Sequence, residues 1–151
     1  MAQRRLMDLG GAIKQSPLAV EIADCAMQLH RAVGNLYRQR GLLDRATEVH
    51  EAALRHPDLK LTDRLDLMAD LGRDYQAAGL LDRAQAVLEE ILTHGPDQPV
   101  AHQARSMLLQ LAQTQRDWQQ AIYWAQQVRA QSGSVEGHTL DQLLGLSLIH
   151  I

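Results

Sequence analysis

Seven histidines, one cysteine and eighteen acidic side chains are the groups of this 151-residue sequence with catalytic or metal-binding chemistry. Zinc takes three or four converging ligands. The histidines form no H-x-x-x-H pair and no HExxH motif. His50 and His56 stand six apart, and His94 and His102 straddle a proline-containing turn. No metal site is expected, and no cofactor. Cys25 lies in IADCAMQLH, within a helical apolar pattern. With no base beside it to form a thiolate, it reads as a buried small hydrophobe. GGAIKQS at 10–16 lacks the G-x-x-x-x-G-K-[ST] spacing of a phosphate loop and a strand before it. Glu89 and Glu90 are sequence neighbours pointing in different directions, a solvated face rather than an acid/base pair. The chain is therefore read as not an enzyme.

Composition says what kind of scaffold is available. Hydrophobic residues make up 46% and aromatics only 3%, with no Phe. A core must come from Leu, Ala, Val, Ile and Met, and Leu and Ala favour helix over strand. Net charge is −3, which gives no general pull toward nucleic acid or anionic lipid. One cysteine excludes an internal disulfide framework. No run of 18 apolar residues occurs, so no membrane insertion is expected. The start, MAQRRLMDLGGAIKQSP, carries two Arg with no uninterrupted apolar stretch behind them, unlike a signal peptide. A cytoplasmic setting is the expectation.

Self-similarity is the strongest signal. GNLYRQRGLLDRA at 34–46 recurs as GRDYQAAGLLDRA at 72–84, without gaps and at an offset of 38. Gly34 maps to Gly72, Tyr37 to Tyr75, Gly41 to Gly79 and Ala46 to Ala84. A weaker third copy centres on RDWQQAI, where Ala121 stands 37 residues after Ala84.

Each unit carries the marks of two antiparallel helices. Leu65, Met68, Leu71, Gly72 and Tyr75 fall on one helical face. Gly79 stands where a helix end needs a left-handed residue. Ala84, Val87, Leu88, Ile91 and Leu92 form the next stripe. Gly95-Pro96 ends it, by conformational freedom and then by blocked continuation, as His56-Pro57-Asp58 does one unit earlier. Asp97 can cap the following helix, with Pro99 in its first turn. The spacing predicts helices near 17–40, 43–56, 61–78, 81–94, 98–114 and 117–131. Residues 1–16 are read as irregular or truncated, 17–131 as the repeat domain, and 132–151 as a linker and poorly matching tail. Gly34 and Gly72 sit inside helices at roughly 1 kcal/mol each relative to Ala. Close helix approach is the expected benefit, with Ala46 and Ala84 as small partners opposite.

Gly-x-x-Tyr, then Ala, then an apolar residue and Pro, resembles the tetratricopeptide repeat, whose usual period is about 34 residues. The resemblance implies an all-α fold of helical hairpins in a right-handed superhelix, about three of them here. The longer period, the missing aromatic near each first helix start, and Leu109 in place of Gly imply a shallower groove. In that family the first helix of each pair lines a concave, peptide-binding surface. Carried onto this sequence, it comprises Gln28, Arg31, Asn35 and Arg38, then Arg73 and Gln76, then Gln103 and Gln110. Asp66 is its one acidic residue. Arg31, Asn35 and Arg38 lie at i, i+4 and i+7, on one face. Amides can pair with an extended peptide backbone and arginines can clamp a carboxylate, so this face reads as a positive groove.

A closer resemblance covers residues 29–130. LHRAVGNLYRQRGLLDRATEVHEAALRHPDL, then LGRDYQAAGLLDRA, then DWQQAI, is similar to the lipopolysaccharide assembly protein B family of Gram-negative bacteria. His50 is retained at a position that most tetratricopeptide repeats give to an apolar residue. The resemblance implies an internal piece of an adaptor on the cytoplasmic side of the inner membrane. That adaptor couples the deacetylase of lipid A synthesis to a membrane-bound ATP-dependent metalloprotease. It also implies an N-terminal membrane helix and a rubredoxin-like domain holding iron or zinc on two CxxC pairs, neither of which these residues can supply. A generic repeat scaffold in cell-envelope assembly, or a helical subunit of an enzyme with its active site elsewhere, are the alternatives.

Overall fold

The computed structural model describes residues 17–132. They form six helices: α1 Pro17–Gln39, α2 Leu43–Leu54, α3 Leu61–Ala77, α4 Leu81–His94, α5 Pro99–Gln115 and α6 Trp118–Ser132. Each agrees with its sequence-based range to within two residues. The readings of 1–16 and of the tail beyond Ser132 lie outside the described residues. Helices pack as three hairpins, α1–α2, α3–α4 and α5–α6. Neighbouring hairpins meet through α2–α3 and α4–α5, with α1, α3 and α5 in a row.

The turns explain the hairpins. Gly41 and Gly79 both take φ +76°. That left-handed step lets Leu42 N–H reach back to the Tyr37 carbonyl and Leu80 N–H to the Tyr75 carbonyl, at 2.9 and 2.8 Å. These bonds close the helix end and satisfy carbonyls that would be orphaned. In the third hairpin Arg116 holds the same conformation, φ 58°, and Asp117 N–H bonds Ala112 O at 2.9 Å. A side chain there is strained by its own Cβ. Gly95 differs from expectation. Its φ is −149°, open to other residues, and it is buried. An added Cβ would strike Leu65 and Gln98, so close packing is what requires glycine. Gln98, not Asp97, takes the N-cap position of α5, without a side-chain cap bond, and Pro99 follows in the first turn. Asp117 does act as a cap, accepting from Gln120 N–H.

Burial is uneven along the row. α3 buries nine residues and α1 only Gly34, because among the described residues α3 is covered by hairpins on both sides and α1 on one. The main core lies between the second and third hairpins and is apolar: Leu65, Met68, Leu88, Ile91, Leu108 and Trp124. Tyr75 packs with Leu71, Ala84 and Leu111 and gives its hydroxyl to Glu51 at 2.8 Å. Burial, and then that carboxylate, push the Tyr75 pKa up. Ala46, Ala84 and Ala121 are buried at the hairpin crossings, while Tyr37 is only half-buried. Cys25 is exposed, contrary to its reading as buried, because it lies on the face of α1 that no described element covers.

The helical glycines do have close neighbours, but not the expected alanines. A Cβ on Gly72 would lie 3.1 Å from Leu88 Cδ2, and one on Gly34 would run into the ring of His50. Leu88 and His50 are repeat equivalents, 38 residues apart. Each glycine therefore makes room for the same position of the second helix, which is Leu in one hairpin and His in the other.

Two stability outcomes follow from this geometry. Gly34→Ala should destabilise by roughly 2–3 kcal/mol through overpacking against a rigid ring. Gly72→Ala should stay within about 1 kcal/mol of wild type, since a flexible Leu terminus yields and Ala favours helix. Equal midpoints for the two in urea unfolding would show that His50 does not set the Gly34 requirement. Arg116→Gly should raise stability by about 1 kcal/mol by relieving left-handed strain, read as a higher thermal midpoint.

Candidate functional site

The face built by α1, α3 and α5 carries the side chains expected to bind peptide. α3 brings to it a row that the sequence reading undercounted. Asp66, Asp70 and Asp74 are spaced four apart, so they stack on one side of the helix. That side meets the first hairpin.

All three arginines of the expected groove are paired within this row. Arg31 Nε donates to Asp70 Oδ2 at 2.8 Å, and its Nη1 to Asp66 Oδ2 at 3.3 Å. Arg73 Nη1 donates to Asp70 Oδ1 at 2.8 Å, and its Nη2 to Gln103 Oε1 at 3.1 Å. Arg38 Nη1 donates to Asp74 Oδ1 at 2.9 Å and to the Asp70 carbonyl at 3.1 Å. Its Nη2 donates to Asn35 Oδ1 at 2.7 Å. The positive groove is thereby corrected. Three guanidinium groups meet three carboxylates, two of them buried, and local charge is balanced. The groove positions take in Asp66 but not Asp70 or Asp74.

Asp74 is fully buried and binds from both sides. Beyond Arg38, its other carboxylate oxygen accepts from Nδ1 of His50, itself fully buried. A carboxylate removed from water needs such partners, since the low-dielectric interior does not solvate it. His50 Nε2 finds no partner among the described residues. His50, Asp70 and Asp74 are the members of the site that the sequence reading did not assign. Signals for them were present: a histidine at a normally apolar repeat position, and aspartates at i, i+4 and i+8.

Asp66 marks where the network reaches solvent, with its side chain 41% exposed. Desolvation lifts its pKa above the ordinary 3.8, and Arg31 opposes this. The surface left for a ligand is chiefly amide. Gln28, Gln103 and Gln110 are exposed and Gln76 is half-buried. Ser106 and Thr114 turn their hydroxyls back to their own helix. Among the described residues, no group of three His, Cys, Asp or Glu side chains is placed to hold a metal ion. No described helix is long and apolar enough to cross a membrane.

The network separates two kinds of aspartate. Asp74→Asn should cost about 3–5 kcal/mol, because Arg38 loses a buried counter-charge. Asp66→Asn should change stability by no more than about 1 kcal/mol at neutral pH, the usual scale for an exposed pair. Its raised folded pKa means that Asp66 favours the fold when protonated, fully below pH 3.8 and decreasingly as pH rises through the lifted value. The stability difference, wild type minus Asp66→Asn, should therefore fall as pH rises through the range just above 3.8. Denaturant titrations across that range test both statements. A flat difference would remove the burial effect on Asp66.

No family model matches the chain. Over 96 residues it is 38% identical to lipopolysaccharide assembly protein B of Escherichia coli strain K12, and equally so to that of strain O157:H7. The match covers 64% of this chain and 24% of the relative. The chain thus spans about a quarter of the length of the curated relatives it matches. Among solved structures it is similar to the nearly identical TPR-like repeats of a candidate kinesin light chain from Podosopora anserina. The TM-score is 0.62 at 22% identity, over 74% of this chain and 57% of that one. That likeness is one of fold. The chain is an all-α array of tetratricopeptide-like hairpins, and its repeat segment is similar in sequence to lipopolysaccharide assembly protein B.

Proposed function

We propose that this chain is a non-catalytic, protein-binding segment of an adaptor in lipopolysaccharide assembly. The adaptor couples the deacetylase of the lipid A pathway to a membrane-bound ATP-dependent metalloprotease, on the cytoplasmic side of the inner membrane. The observation that carries this reading is the 38% identity to lipopolysaccharide assembly protein B, set on hairpins whose α1, α3 and α5 side presents amides. The chain itself uses no cofactor. Iron or zinc belongs to a CxxC domain outside these residues.

The partner's backbone is held by the amide groups of Gln28, Gln76, Gln103 and Gln110, which both donate and accept. Arg31, Arg38 and Arg73 act one step behind, holding the hairpins in register so that these amides line up. Replacing Arg38 would test folding rather than binding, since it strands Asp74. The informative variant joins Gln28→Ala and Gln110→Ala, both at exposed positions, and keeps Gln103, which accepts from Arg73. It should weaken capture of the purified deacetylase more than tenfold, with helicity and melting point unchanged. The control is Arg45→Ala with Arg83→Ala, two exposed residues of the second helices. Normal binding by the glutamine variant, together with loss in the control, would move the partner to the outer surface and end the groove assignment.

A further inference from the structure

The first helices of the hairpins stand in a row, but the backbones of the second helices stay apart. Between α4 and α6 this leaves a cavity floored by α5. A like cavity lies one hairpin earlier, between α2 and α4 and over α3. Repeat positions correspond across the two: Leu54 with Leu92, Met68 with Arg105 and Val87 with Trp124, at offsets of 37 or 38. Both cavities therefore arise from the stacking of one hairpin on the next.

The floor position separates their chemistry. At the first joint it is Met68, buried in the apolar core. At the second it is Arg105, a cation where the preceding repeat has a core hydrophobe. Its Nη2 donates to the Pro96 carbonyl at 3.3 Å, a long bond. Its Nη1 is buried and has no hydrogen-bond partner among the described residues. Arg31, Arg38 and Arg73, by contrast, each meet a carboxylate at 2.8 or 2.9 Å. Glu89 borders the same cavity as Arg105, but its Oε1 accepts from Gln85 at 2.8 Å. A charged donor withdrawn from water without a partner is unfavourable. Methionine, as 37 residues earlier, would avoid that cost.

We propose that the cavity between α4 and α6 binds an acidic side chain of a partner polypeptide, whose carboxylate is taken by Arg105. The guanidinium is a forked donor of the shape that a carboxylate fits. With one long bond to release, it turns to the cavity as the carboxylate arrives. Beside it stand Leu92 and the rings of Tyr123 and Trp124, edge to face with centroids 4.9 Å apart. They form a wall for the stem of a glutamate or for an apolar neighbour in the same segment. Tyr123 is 49% exposed, so the wall is open to an incoming chain. Glu89 and Gln127 bring acceptors for the N–H groups of that chain, which favours a polypeptide over a free acid. The cavity volume, about 460 Å³, admits a side chain of this size. The site lies apart from the glutamine-bearing side and does not depend on its assignment.

The test uses the intact chain and two capped tripeptides, acetyl-Leu-Glu-Leu-amide and acetyl-Leu-Gln-Leu-amide. Binding is read by NMR from the Trp124 indole N–H and the Arg105 Nε–H. The glutamate peptide should bind at least tenfold more tightly than the glutamine peptide. Arg105→Met should bind the two alike, with helicity unchanged and a thermal midpoint at or above that of wild type, since an unpaired buried charge has gone. Equal affinity of wild type for both peptides overturns the proposal. A lowered midpoint for Arg105→Met does so too, because the arginine then serves the fold. A third peptide, acetyl-Leu-Gln-Leu with a free terminal carboxylate, should bind no better than its amide. If it matches the glutamate peptide, the cavity takes chain ends and the side-chain assignment falls.

Discussion

A buried carboxylate sets the geometry of the first half of this molecule. Asp74 lies at the joint between hairpins with no access to water. It is accommodated because Arg38 and His50 of the preceding hairpin approach its two oxygens. Both partners come from the first hairpin and the acid from the second, so each bond constrains how one hairpin sits on the other. The dependence runs on from there. His50 can reach Asp74 only if its ring lies against α1, and α1 yields that space by having glycine at 34. Gly34, His50, Asp74 and Arg38 are one unit, and a change at any of them is felt by the other three.

The second joint solves the same problem with different chemistry. Leu88 stands where His50 does, against Gly72, and Met107 of the third hairpin closes over it. Around this contact the core is apolar. Apolar contacts contribute stability in proportion to area but are indifferent to small rotations. Ion pairs in the interior contribute little net stability after desolvation, yet hold direction. The array thus combines a joint that fixes angle with a joint that supplies cohesion. A surface formed by three hairpins is only as well defined as the angles between them.

Balancing the arginines also decides what the α1, α3 and α5 side offers. Had Arg31, Arg38 and Arg73 been free, the face would have selected anionic partners by long-range attraction. Paired as they are, they leave glutamines, whose amides can hydrogen-bond at short range and without regard to charge. The raised pKa of Asp66 marks the edge of this arrangement, where the acidic row emerges from the joint.

What the residues alone determined is the local order of the fold. Helix positions, hairpin turns at Gly41 and Gly79, and the buried faces of α3 and α4 are written in spacings of three, four and thirty-eight residues. They hold because backbone geometry repeats whenever the pattern does. The resemblance to a lipopolysaccharide assembly family was legible for the same reason, being carried by the repeated string itself. Tertiary structure decided which residues of different hairpins meet. Periodicity places Arg38 and Asp74 each on a helical face, but not the two faces against each other. It marks Gly34 as needing space, but not that a histidine ring from α2 fills it. Cys25 shows the same division: its pattern is that of a buried residue, and its exposure follows from its lying on a side of α1 that no described helix covers. A helix encodes which of its sides is apolar, while the presence of a neighbour to cover that side depends on the whole assembly of chain around it.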